Sequence, residues 1–168
     1  MMDHQMLVEG LSRGEWVPLA AEASALPLTL LPKGPGVVLS SGGSTGGRRC
    51  CLHPIANLDL SAAATAGWLE GIGLDPACSV IFNPLPLTHV SGLLPWWRSR
   101  AWGVHHHCLE RDLMKSPSAL LERCRAVAGW RQGSALLSLV PTQLGRLLAH
   151  PDGVSALERF SVIWVGGA

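Results

Sequence analysis

From Gly36 onward the sequence alternates short apolar, β-branched runs closed off by Gly or Pro with Ala- and Leu-rich stretches of helical period. That alternation limits the fold more than any other feature. Residues 36–40, 79–82, 104–108, 136–140 and 161–165 read as strands, too short and too apolar for the arms of an exposed hairpin, which predicts buried parallel strands. Between them, residues 55–70, 91–102, 117–127 and 142–150 read as helices, with a short one at 154–159. Ser116-Pro117 marks the third start, an N-cap residue followed by Pro at the first helical position. The expected fold is α/β, a layered and largely parallel sheet with helices on both faces and right-handed crossovers. In such sheets ligands sit beyond the carboxyl ends of the strands, so the loops leaving each strand are the places to inspect. Residues 1–35, rich in Ala, Leu and Pro and ending in Pro32-Lys33-Gly34-Pro35, read as a lead-in segment and not as a domain.

Composition narrows the function classes. With 48% hydrophobic and 15% charged residues the chain has the make-up of a globular body with a buried core. Its 13 basic and 12 acidic residues are scattered, so no nucleic-acid partner or membrane surface is indicated. The long uncharged stretch 76–97 contains Pro84, Pro86, Pro95, Asn83, Thr88 and His89, which argues against a membrane span. Asp3 and Glu9 interrupt any apolar run near the N-terminus and no basic region precedes one, so the expected compartment is the cytoplasm. The five cysteines are odd in number and lack C-x-x-C spacing, so they read as reduced thiols. In His105-His106-His107-Cys108 neighbouring side chains of a strand point to opposite faces, and no metal site is expected. Oligomeric state has no signal in the sequence.

The loop after the first expected strand, Ser40 to Arg49, holds four glycines, four hydroxyl residues and two arginines. Glycines let backbone N–H groups approach anionic oxygens, hydroxyls add neutral donors, and guanidinium groups add charge-assisted bonds, a combination suited to a polyphosphate. A dinucleotide G-x-G-x-x-G fits in no register. Gly42 and Gly47 have the spacing of a P-loop, yet Arg48-Arg49 stands where Lys-Ser/Thr belongs. Gly42-Gly43-Ser44-Thr45-Gly46 also matches the hydrolase G-x-S-x-G, whose serine sits on a turn running straight into a helix, whereas here Gly47 follows Gly46 and the helical pattern resumes only after Pro54. An ordinary Gly/Ser turn is the bland alternative.

Ser41 to Arg49 resembles, without a gap, the Ser/Thr-Ser/Gly-Gly-Ser/Thr-Thr-Gly-x-Pro-Lys signature of the acyl- and aryl-adenylating (AMP-binding) superfamily, which includes acyl-CoA synthetases, luciferases and peptide-synthetase adenylation domains. Arg48 replaces Pro and Arg49 replaces Lys, putting a planar fork where relatives present a point charge. Three later segments follow in the family order: Pro86-Leu87-Thr88-His89-Val90-Ser91-Gly92, Ser138 to Leu144, and Val165-Gly166-Gly167-Ala168. By this resemblance Ser41, Gly42, Gly43, Ser44, Thr45, Gly46, Gly47 and Arg48 bind the ATP phosphates, and Arg49 acts with them in catalysis. His89 borders the reacting carboxylate, and Gly92, Pro141, Thr142, Gly166, Gly167 and Ala168 line the acyl and adenine pocket. Residues 83–96 and 138–148, with the Gly-Gly-Arg-Arg form of the loop, are most similar to o-succinylbenzoate-CoA ligases of the cyanobacterial type.

The resemblance implies ATP-dependent activation of a carboxylic acid to an acyl-adenylate, followed by CoA thioester formation, on the route to menaquinone or phylloquinone. The implied partners are ATP, a small carboxylic acid and CoA, with Mg2+ held by residues beyond this chain. It also implies that residues 36–168 form part of an adenylation domain whose C-terminal portion and small domain are absent, so the 168-residue chain alone is expected not to be a competent ligase. The alternatives are another acyl- or aryl-CoA ligase, an α/β hydrolase with Ser44 as nucleophile and His89 or a later histidine as base, and a non-enzymatic packing module.

Overall fold

The computed structural model describes residues 4–19, 27, 29, 31–41, 49–127, 130 and 134–166. Its main layer is a parallel four-stranded sheet made of β4 (Ser79–Asn83), β5 (His105–Cys108), β6 (Ser134–Leu139) and β7 (Val162–Val165), in the order β5-β4-β6-β7. Every residue of β4 is buried, as a central strand covered on both faces requires. Side chains alternate along it. Val80 and Phe82 pack with Ala135, Leu137 and Leu139 of β6 against Leu120 and Cys124 of α4 (Pro117–Arg125), Leu147 of α5 (Pro141–Leu148) and Ala156 of α6 (Pro151–Leu157). Ile81 and Leu136 face the opposite way, onto Leu69 of α2 (Ile55–Gly71) and Trp102 of α3 (Val90–Trp102). Fully burying residues such as Ile81, Phe82, Leu136 and Leu137 contributes about 2 kcal/mol each, which fixes the register through the period of two.

The helices begin where the local chemistry allows. α4 opens on Pro117 as Ser116-Pro117 predicts, and α5 and α6 also open on prolines, Pro141 and Pro151, one and three residues before the positions read from periodicity. α3 ends on Gly103, whose φ of 69° places it in the left-handed region that glycine tolerates. In α3, Trp96 and Trp97 are buried, and Trp97 donates to Asp59 Oδ1 at 2.9 Å, which makes them packing residues.

One expectation is overturned. The strand at 36–40 does not join the parallel sheet. As β2 (Gly36–Ser41) it pairs antiparallel with β3 (Arg49–Pro54), Ser41 opposite Arg49, and parallel with β1 (Trp16–Pro18), in a separate sheet of order β1-β2-β3. β2 is therefore a hairpin arm, and it is buried because its inner face is covered. Val37 and Leu39 pack with Leu7 of α1 (His4–Ser12), Leu58 and Ala62 of α2, and Leu93 of α3. Residues 4–19, within the stretch read as a lead-in, thus contribute a helix and a strand to this second layer. The fold is α/β, with a parallel sheet and helices on both of its faces. No helix among the described residues is long and apolar enough to cross a membrane.

Candidate functional site

The carboxyl ends of β4, β6 and β7 open onto a cavity of about 160 Å³. Leu85 from the loop after β4, Leu94 and Arg98 of α3, Ser138 of β6, and Trp164 and Gly166 at the end of β7 all face it. Parallel pairing sets these strand ends level, with Ser138 opposite Trp164 and Leu139 opposite Val165. The walls are mostly apolar, so a charge inside stands out.

That charge is Arg98. It is half-buried, its Nε has no hydrogen-bond partner among the described residues, and its Cζ lies over the Trp164 ring at 4.7 Å from the centroid. Burial pushes its pKa below the ordinary guanidinium value, although an arginine there still carries its charge. The second unusual group is Ser138. Four polar side chains are buried among the described residues: Ser79, Asn83, Ser99 and Ser138. Ser79, Asn83 and Ser99 are hydrogen-bonded, while Ser138 Oγ has no partner. An unpaired buried hydroxyl costs about 1–3 kcal/mol, and a buried guanidinium N–H without an acceptor is a cost of the same kind. Two such groups lining one small cavity make it suited to an anion that accepts from both.

His89 occupies a different part of the same region. It is exposed, stands at the N-cap of α3 with φ −121° and ψ 147°, and makes no side-chain capping bond. Its carbonyl accepts from Gly92 and Leu93 N–H groups at 3.0 and 2.9 Å, and its N–H donates to the Pro86 carbonyl at 3.1 Å. The following turn is tightly packed: a Cβ on Gly92 would lie 2.6 Å from the Leu85 carbonyl oxygen and closer still to that of Pro86. Asn83 ties the loop down. Its Oδ1 accepts from Leu85 N–H at 3.0 Å, and its Nδ2 donates to the Gly92 carbonyl at 2.9 Å.

Of the residues singled out in the sequence, Gly166 lines the cavity. Pro141 and Thr142 form the first turn of α5 directly after β6, where the Val140 N–H donates to Gln143 Oε1 at 3.0 Å. Ser41 and Arg49 flank the glycine-rich loop as the last and first residues of β2 and β3, with Arg49 exposed. Gly42, Gly43, Ser44, Thr45, Gly46, Gly47 and Arg48, like Gly167 and Ala168, lie outside the described residues. A strand, β3, follows this loop where a hydrolase nucleophile turn needs a helix, so the topology removes the support for Ser44 as a nucleophile. Arg98 and Trp164 were not anticipated as site residues, because on sequence alone Arg98 is one more cation beside Arg100.

The histidine run behaves as alternation predicts. His105 and His107 share one face with ring centroids 6.2 Å apart, His107 also stacks on Phe82, and His106 turns the other way toward Asn83. Among the described residues, no group of three or more His, Cys, Asp or Glu side chains is arranged to hold a metal ion.

No protein-family model matches this chain, and no curated protein matches it. Solved structures do. The o-succinylbenzoate CoA synthetase of Bacillus subtilis, in complex with its acyl-adenylate intermediate, aligns with a TM-score of 0.59 at 23% identity over 79% of this chain and 31% of its own. The same enzyme has been solved with ATP and magnesium ion, and aligns at 0.58. The inhibitor-bound N-terminal domain of FACL13 from Mycobacterium tuberculosis aligns at 0.54 with 22% identity over 79% of this chain and 30% of that one. ATP-bound MatB from Rhodopseudomonas palustris aligns at 0.55 with 18% identity over 79% and 24%. The chain spans a quarter to a third of the length of these proteins, and what it shares with them is the fold.

Proposed function

We propose that this chain is part of an enzyme that activates a carboxylic acid with ATP and passes it to CoA, and that the acid is o-succinylbenzoate, a step toward menaquinone or phylloquinone. The observation that carries the substrate class is the pair Arg98 and Ser138. Among the described residues Arg98 Nε and Ser138 Oγ have no hydrogen-bond partner, and both side chains line an apolar cavity at the carboxyl ends of the strands. A simple fatty or aromatic acid has one carboxylate, which the reaction consumes. A partly buried guanidinium in the acyl cavity is useful when the acid carries a second anionic group that stays intact, as o-succinylbenzoate does. The apolar walls from Leu85, Leu94 and Trp164 suit the aromatic ring.

The roles of the other residues follow from the resemblance of their segments to the adenylating signature. Ser41 to Arg49 would hold the ATP phosphates, with Arg49 giving a fork in place of an ammonium. His89, exposed on the loop after β4, would stand beside the reacting carboxylate, and Gly92 lets α3 approach that loop. Pro141, Thr142, Gly166, Gly167 and Ala168 would line the acyl and adenine side. ATP supplies the leaving pyrophosphate that drives formation of the mixed anhydride; the protein contributes orientation and charge complementarity.

Thermal stabilisation tests the reading. A ligand present at ten times its dissociation constant adds about 1.4 kcal/mol to the stability of the folded chain. Titrating o-succinylbenzoate should raise the melting temperature of the 168-residue chain, with a smaller rise for Arg98→Ala. No stabilisation of the folded wild-type chain would reject the reading. Covalent labelling by a serine-directed phosphonate would favour the hydrolase instead.

A further inference from the structure

We propose that Asn83 and His106 form a positioning pair that holds the His89 loop in place, with His106 locked in one neutral tautomer. This rests on the reading of His89 as neighbour to the reacting carboxylate. Asn83 is 1% exposed at the end of the central strand, and all its side-chain bonding capacity on one edge is used by a single loop. Leu85 N–H donates to Oδ1 on the way out, and the Gly92 carbonyl accepts from Nδ2 on the way back. The residues between need that anchor. Pro84 and Pro86 have no N–H, and the His89 N–H is used inside the loop by the Pro86 carbonyl.

These two backbone partners settle the amide orientation. Flipping Asn83 would put its oxygen against the Gly92 carbonyl and its NH2 against the Leu85 N–H, two repulsive contacts in a buried place. The NH2 therefore has one hydrogen left, and it meets His106 Nε2 at 3.1 Å. An amide nitrogen cannot accept, so Nε2 must. His106 is then neutral, with its proton on Nδ1. The contact spans from β4 to the edge strand β5, whose residue His106 pairs with Ile81, and it braces the amide that closes the loop. The geometry thus runs from His106 through Asn83 to both ends of the segment that presents His89.

The test is histidine-labelled NMR on the 168-residue chain, joined to an o-succinylbenzoate titration. The wild type should show His106 protonated on Nδ1. In Asn83→Ala that tautomer preference should be lost and the His89 ring signals should move. His106→Gln, which keeps an acceptor, should leave His89 at its wild-type shifts and acid affinity nearly unchanged. His106→Leu should shift His89 and weaken the acid by about tenfold, the loss expected when a buried donor is left unpaired. Should Asn83→Ala fail to fold, the His106→Gln and His106→Leu pair carries the test. Wild-type His106 protonated on Nε2 would overturn the proposal, as would a folded His106→Leu variant with unmoved His89 signals. If the wild type binds no acid, the proposed function fails, while the tautomer and the His89 signals still decide the positioning role.

Discussion

Ser138 separates stability from function at a single atom. Its Oγ is buried and unpartnered, so Ser138→Ala should raise stability by about 1 kcal/mol in urea denaturation, and lower affinity for the acid if the hydroxyl serves the anion. A loss of stability would show that the hydroxyl is satisfied in the folded chain. Cys124 makes a second residue-level case. Burial in the α4 core pushes its thiol up to about 12, against a weaker opposite pull from Arg123. The unfolded chain therefore gives up this proton more readily than the folded one, and stability should fall as pH rises above 9.0, the ordinary value for a thiol. Cys124 should also resist iodoacetamide at pH 8 until the chain unfolds, whereas exposed Cys108 reacts, and native labelling of Cys124 would contradict its placement. Little of this was legible in the sequence. Ser138 was visible as the first residue of a motif and Arg98 as a cation in a tryptophan-rich helix, but what distinguishes each is a buried polar atom with no hydrogen-bond partner among the described residues.

At the scale of elements the sequence was more informative where hydrophobic periodicity was strong. Helices α2 to α4 and the strands β4, β6 and β7 lie within two residues of where their periods place them, because each has a face buried by neighbours on the sheet. The two misses have different causes. β3 reads Arg-Cys-Cys-Leu-His-Pro, only half-buried, so it lacks the apolar run that marks a central strand. α1 had a signal, Leu7, Val8 and Leu11 at helical spacing, hidden by the Pro-rich region after it. Two predictions belong here. Gly92→Ala would drive a Cβ into the Leu85 and Pro86 carbonyls and should cost about 3 kcal/mol, and an unchanged denaturation midpoint would refute the close approach of α3. On edge strand β5, burial lowers the His107 pKa, helped by the nearby charges of His105 and Arg123. The unfolded state thus binds this proton first, so stability should be lost as pH falls below 6.5, and His107→Gln should flatten that dependence.

For the molecule as a whole, the arrangement of two sheets brings an apolar cavity, a half-buried guanidinium stacked on Trp164 and an exposed histidine to the carboxyl ends of the parallel strands. The order of the segments around that end was legible in the sequence, as short motifs leaving successive strands. Their convergence was not, because it depends on the crossover of α3 that places Arg98 against Trp164. Isothermal titration of the wild type and Arg98→Ala with o-succinylbenzoate and with 4-oxo-4-phenylbutanoate, which lacks the ring carboxylate, tests the central claim most directly. The wild type should prefer the diacid by about tenfold, corresponding to roughly 1.4 kcal/mol, and Arg98→Ala should bind the two acids alike. Equal affinity of the wild type for both acids would contradict the assignment of Arg98 to a second carboxylate.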